Sequence, residues 1–380
     1  MHRSWNRLHP ADAGRLPSWS RPAALIVAAC ALLAVVNLVL GIAGGLARFG
    51  APGPRGPALA LHGLLLVSGF FGTLVALERF IAVGRTAWLL APVASAVGGL
   101  MAWSGAPVQA ALIAWLVAGF ALMSGCVFEA ARGSMRLPLL LRILGAACWS
   151  VGNLLWLQGA LAHLALPGWL AFLVLTIVSE REDVLSSLRT RPLAAVAFGA
   201  AIVLLPLSML VAGLEATLGL PIPAPSEVPA LIQWTGCLLL ALVLLSGKTP
   251  QPRDGGWAGW ESRATRAADA WLLVASLLGL SRHWLPFAAG GPAWHALLLG
   301  FAFSTLFAHV PRLLMSMSKE PLRYTAWFAF PLVLLSASLA LRVTAAGFQH
   351  PLALLTAGVG HAIAIAAYAL LITRAVVGRG

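Results

Sequence analysis

Residues 22–47 read PAALIVAACALLAVVNLVLGIAGGLA, a run without one charged side chain. A helix needs about 20 such residues to cross a hydrocarbon core about 30 Å thick, and this run has the length to do so. It is longer than a signal-peptide core and lacks an A-x-A-like site at its end, so it reads as a retained first crossing. The whole chain agrees with that reading. Of 380 residues, 60% are hydrophobic and 10% charged, and the mean hydropathy is +0.90, which excludes a water-soluble fold.

Cutting the chain wherever charge, Pro or Gly clusters interrupt the apolar runs yields eleven more segments. They cover 58–83, 86–104, 106–130, 137–160, 163–179, 192–213, 229–247, 268–287, 291–315, 322–345 and 351–375. The expected fold class is therefore all-α, a polytopic membrane protein of about twelve transmembrane helices. A polar tail, 1–21, precedes a single transmembrane domain, 22–380. Cys30, Cys126, Cys148 and Cys237 lie in apolar runs without CxxC spacing, which predicts buried packing residues in place of disulfides or a zinc site.

The formal net charge of +13 would suggest nucleic acid in a soluble chain. Here the placement of the charges marks topology, and no nucleic-acid partner is expected. With both termini on the inner side, 21 of the 25 Lys and Arg fall in inner segments, and only Arg48, Arg55, Arg282 and Arg342 fall outside. That is the positive-inside pattern of a bacterial-type inner (cytoplasmic) membrane protein with both termini cytoplasmic.

Ionisable groups within the apolar segments are costly and point to function. The carboxylates gather at inner helix ends and loops, with Glu215 and Glu227 beside the outer 7–8 loop, so no acid is expected at mid-membrane. The histidines lie mostly towards the outer side. His62 opens the second segment, His163 the sixth, and His295 lies near the outer entry of the tenth. His361 is about ten residues into the twelfth, roughly 15 Å from its outer end. His309 follows His295 by 14 residues, nearly on one helix face but roughly 21 Å deeper, so the two cannot share a metal.

Imidazole is the common protein ligand of haem iron and also suits copper. His62 and His295, at similar depth on different helices, are candidates for one haem between them, with His163 and His309 as further metal-ligand candidates. Outer arginines, Arg55 and Arg282 among them, are candidate partners for haem propionates. The tryptophans read mostly as an aromatic belt, with Trp103, Trp169, Trp284 and Trp294 at outer helix ends. Asn37, Asn153, Gln158 and Gln233 read as interhelical hydrogen-bonding groups.

Three stretches taken together, LHGLLLVSGFFGTLVALERFIAVG (61–84), WLAFLVLTIVSERED (169–183) and HALLLGFAFSTLFAHVPRLL (295–314), resemble the NnrS-like branch of the haem-copper oxidase subunit I superfamily. The resemblance implies a subunit I-like twelve-helix bundle, haem b between His62 and His295, copper as a second metal, a redox partner protein, and a role in nitric oxide or respiratory redox metabolism. It further implies that His163 lies on the helix supplying the first copper ligand in the oxidases. The sequence departs from that pattern. Segment 192–213 has no histidine, position 297 is leucine, and Gly63 and Leu64 follow His62 where an H-x-H-E pattern would stand. An oxygen-reducing binuclear centre is not expected. Two alternatives fit the same layout, a secondary transporter of a neutral substrate and a non-catalytic assembly component of a membrane complex.

Overall fold

The computed structural model describes residues 20–52, 61–133, 135–159, 162–218, 227–247, 256–285, 291–318 and 321–378, without the side chains of Ala162, His163, His283, Ser316, Met317 and Ser318. The described residues are helical, with no strand among them. They form α1 (Arg21–Ala47), α2 (His62–Val83), α3 (Thr86–Trp103), α4 (Val108–Arg132), α5 (Leu137–Leu157), α6 (Ala162–Ser179), α7 (Pro192–Leu218), α8 (Glu227–Ser246), α9 (Gly256–Leu280), α10 (Gly291–Ser318), α11 (Ala326–Gly347) and α12 (Pro351–Val377). Ten of these rods are each long and apolar enough to cross a membrane. The end of α6 and the short helix beyond it, Glu182–Thr190, form a pair bent by 68°. The remaining rod, α9, is longer than the 268–287 segment read from the sequence. It begins at Gly256, and its first half carries Glu261, Arg263 and Arg266. A hydropathy cut ends at those charges, whereas the backbone hydrogen-bond ladder runs on past them.

Three rods occupy the centre. Leu170–Leu175 of α6 are buried on every face, as are Val67–Thr73 of α2 and Leu299–Ser304 of α10. A helix that is apolar all round belongs in the interior. The central rods touch through aromatic rings: Phe70 and Phe71 of α2 lie 5.9 and 5.1 Å from Phe303 of α10, and Phe172 of α6 stacks on Trp149 of α5 at 4.7 Å. The other rods pack around them largely as antiparallel neighbours, and α1 meets α12 to close the ring. The central rods are the second of each consecutive set of four.

Two of the central rods share a local irregularity. Three residues after His62, Leu65–Gly72 is a π-helix, and directly after His295, Ala296–Phe303 is one too. A π turn widens the helix and displaces carbonyls from their usual donors. In α2, Gly69 O accepts from Thr73 Oγ1 at 2.7 Å and from Asn37 Nδ2 at 3.3 Å, and Ser68 O accepts from Ser95 Oγ at 2.7 Å. In α10, Phe301 O accepts from Thr305 Oγ1 at 2.8 Å. Asn37 therefore acts across helices, as expected. So do Asn153, which accepts from Trp169 Nε1 at 3.1 Å, and Gln233, which accepts from Ser208 Oγ. Gln158 instead lies in an exposed turn.

The tryptophans correct the aromatic-belt reading. Trp103 and Trp284 are exposed, but Trp115, Trp149, Trp234 and Trp260 are fully buried and Trp169 nearly so. Their indole nitrogens act as cross-braces: Trp115 Nε1 donates to Ser95 O at 3.1 Å, Trp149 Nε1 to Ser68 Oγ at 2.9 Å and Trp260 Nε1 to Phe307 O at 3.1 Å. The four cysteines are buried and unbonded, in agreement with the sequence reading.

Candidate functional site

Two polar regions stand at opposite ends of the bundle. The first lies at the arginine-poor end and gathers His62 of α2, His295 of α10, Arg342 of α11 and His361 of α12. His295 lies within electrostatic range of the other three. A Cβ on Gly45 would stand 3.6 Å from His62 Cδ2, an ordinary van der Waals distance, so α1 packs beside that ring. A Cβ on Gly291 would stand 3.5 Å from His295 Nδ1 and 3.9 Å from Arg342 Nη2, so imidazole and guanidinium converge on one point of the chain.

A hydrogen bond fixes the chemistry of one ring. His295 Nδ1 bonds the Gly291 carbonyl. A carbonyl only accepts, so Nδ1 carries the proton and Nε2 of the neutral ring keeps its lone pair. His361 is buried, and its Nε2 is without a hydrogen-bond partner among the described residues. A donor bond from one ring nitrogen to a carbonyl is the usual support for a ring that ligates a metal through the other. Arg342 is buried, lies over the Phe49 ring at 5.1 Å and forms no ion pair with a described residue.

The sequence reading of this end is thereby redrawn. His62 and His295 belong to one cluster. Arg342, one of the four outer arginines read as candidate propionate partners, and His361, which was not among the metal-ligand candidates, complete it. Arg282 lies 3.9 Å from Glu227, which competes for its charge. Arg55 and the His163 side chain lie outside the described residues. Among the described residues no three His, Cys, Asp or Glu side chains stand close enough to hold a metal ion.

The second region was not anticipated from the sequence beyond the position of its charges. At the arginine-rich end a cavity of about 270 Å3 opens between α5, α6, α9 and α10. Its walls hold three ion pairs, Arg142–Glu180 at 2.7 Å, Arg181–Asp183 at 3.0 Å and Arg312–Glu261 at 2.9 Å. Arg181 also reaches Asp269 of α9 at 2.8 Å, a carboxylate with 4% of its side chain exposed. His309 lines the cavity and accepts from Arg312 Nη2 at 3.1 Å, while its Nε2 lies 3.4 Å from Glu78. His309 therefore sits among the charged groups at the far end of α10 from His295, which sets it apart from the histidine cluster. Glu215, expected at the edge of an outer loop, is buried in α7 with neither carboxylate oxygen hydrogen-bonded to a described residue.

No curated protein and no solved structure matches this chain. A family described as "Domain of unknown function (DUF8744)" matches residues 26–377, which takes in all but the first few residues of α1 and every later rod, so the chain belongs to that family.

Proposed function

We propose that this protein crosses an inner (cytoplasmic) membrane twelve times with both termini on the arginine-rich side, and binds haem b at the arginine-poor end through His62 and His295. One observation carries the reading. The two histidines stand in the first turns of two central helices, His62 three residues and His295 one residue ahead of an eight-residue π-helical stretch, and such irregularities recur at functional sites. The resemblance to the NnrS-like branch of the oxidase superfamily draws support from the same feature. The three stretches on which it rests fall on α2, α6 and α10, the central rods.

The donor set suits haem. The macrocycle supplies four nitrogens of its own and asks the protein for two axial ligands, whereas a copper ion would need a larger protein donor group than the described residues assemble. His62 and His295 would hold the iron, and the Gly291 carbonyl would keep His295 in the ligating tautomer. Arg342, a buried cation without a carboxylate partner among the described residues, would face the anionic side chains of the macrocycle. Bound there, the haem would supply a one-electron centre for nitric oxide or respiratory redox metabolism, served by a redox partner protein.

The test is a dithionite-minus-oxidised absorption spectrum of detergent-purified protein. His62→Ala and His295→Ala are each expected to abolish the low-spin b-type signal while eluting as the wild type does on size exclusion. A signal retained in both variants overturns the assignment. The arginine-rich cavity favours a second reading, carriage of a small polar solute, because it opens a path between helices from one side. A colourless, metal-free protein from a haem-replete host would make that reading the leading one.

A further inference from the structure

The cavity between α5, α6, α9 and α10 accounts for the polar half of α9. Positions 258, 261, 262 and 265 of α9 line it, and so do positions 305, 308, 309 and 312 of α10. Steps of three, one and three residues keep to one face of a helix. Each helix therefore turns one partly polar stripe to the same space, and the charge that interrupts the apolar pattern of α9 stands on a cavity wall.

The wall is acidic. Glu180, Glu182, Asp183 and Glu261 line it together with three guanidiniums, and each guanidinium already holds a carboxylate. Arg312 also donates to His309 Nδ1. A guanidinium only donates, so Nδ1 bears no proton and the ring is neutral. One carboxylate is thus in excess, and Asp269 behind Arg181 adds a second.

Acceptors stay open as well. Arg142 Nε and Nη2 both donate to Glu180 Oε1, and Arg312 reaches Glu261 Oε1, which leaves Oε2 of each carboxylate without a donor among the described residues. The Ser262 and Thr265 hydroxyls, one turn apart, bond no described residue. Among those residues no three His, Cys, Asp or Glu side chains converge on a metal ion. Acceptors spread over about 270 Å3 suit a cation of several atoms instead. A phosphate attached to that cation, as in a lipid headgroup, would meet the excess carboxylate.

We propose that this cavity binds a small aliphatic amine, its ammonium on the open oxygen of Glu261 beside Ser262 and Thr265. The ammonium gains charge-assisted hydrogen bonds there and offsets the surplus acid. The proposal rests on the solute reading of this cavity and is independent of the haem.

Isothermal titration calorimetry of the detergent-purified full chain, in an amine-free buffer, tests it with three four-carbon probes, 1,4-diaminobutane, 4-aminobutanoate and succinate. The diamine is expected to bind, the zwitterion to bind about tenfold more weakly, and succinate not to bind. Glu261→Gln is expected to weaken diamine binding about tenfold, the loss of one hydrogen bond to a charged group. Ser262→Ala with Thr265→Ala leaves every ion pair in place and is expected to weaken it about threefold, as neutral hydrogen bonds are worth less. The control Glu129→Gln removes a carboxylate from an exposed position at the same end and is expected to change nothing. Wild-type affinity in both cavity variants would overturn the site, as would an equal loss in the control, which would show bulk charge at work. Tighter binding of succinate or 4-aminobutanoate would overturn the amine while leaving the solute reading in place. No heat from any probe would overturn the amine site and leave the ion pairs as braces between helices.

Discussion

Gly72 ends the π-helical stretch of α2 against the indole of Trp149, and a Cβ there would lie 2.7 Å from two ring carbons. Trp149 cannot retreat, because it is fully buried, donates to Ser68 Oγ and stacks on Phe172. Gly72→Ala is therefore expected to destabilise by about 1–3 kcal/mol, the usual cost of overpacking a core, and to lower the melting temperature in detergent. Gly199 in α7 has open space around it, with nothing within 4 Å, so Gly199→Ala should leave the melt unchanged or raise it, as alanine favours helix. A Gly72→Ala melt no lower than that of Gly199→Ala would mean that Trp149 gives way to a Cβ at that contact. Such contacts cannot be read from sequence, because Trp149 and Trp103 look alike there and only the direction each helix turns separates cross-brace from belt. His62 and His295 were readable because an imidazole in an apolar run stands out by itself. Arg342 stood out only as one of four outer arginines and His361 as one more membrane histidine, because their part in the cluster comes from α11 and α12 folding back beside α10.

The junction of α6 with its bent continuation shows why one boundary was misread. A charge-based cut placed the start of the ninth segment at 268, yet α9 runs from Gly256 and carries its charged half out beside the cavity, where Trp257 Nε1 donates to Leu322 O at 2.7 Å. The bend also brings Arg181 to Asp269. Arg181→Gln would leave that carboxylate buried and unpaired, at a cost of about 3–5 kcal/mol, and Asp269→Asn added to it should restore much of the loss. A double variant no more stable than Arg181→Gln alone would mean that water already reaches Asp269. Asp183, outside the apolar rods, offers a pH readout. Burial alone would raise its carboxyl, but the hydrogen bond and charge of Arg181 more than offset that and hold it below the usual 3.8. A carboxyl lowered on folding adds stability above its unfolded value and loses it as pH falls through the folded one. Removing the group should therefore flatten the acid limb of the stability curve below pH 3.8, and only slightly, because Asp183 is 40% exposed. An unchanged acid limb in Asp183→Asn would assign that limb to other carboxylates.

For the molecule as a whole, hydropathy located the apolar rods well because membrane-crossing helices must satisfy their own backbone and so announce themselves by length. The arrangement of three central rods within a ring is a different matter. Periodicity says only that α2, α6 and α10 lack a polar face, and the π-helical stretches leave no mark that separates them from ordinary helix. Orientation rests on the asymmetry of basic residues, and the four native cysteines make it testable without background, since each is at most 3% exposed. Ser104, in the turn after α3, and Thr190, at the end of the bent segment after α6, are both exposed and lie at opposite ends of the bundle. Introduced singly as Ser104→Cys and Thr190→Cys, they meet a membrane-impermeant maleimide from different sides. With the arginine-rich end inside, Cys at 104 should label in intact spheroplasts and Cys at 190 only after permeabilisation. The reverse result would turn the bundle over, carrying the histidine cluster to the cytoplasmic face and the ion-paired cavity to the outer one. Equal labelling of both in intact cells would mean that α6, the bent rod between the two positions, does not cross, because the odd number of crossings made by α4, α5 and α6 is what separates the two ends.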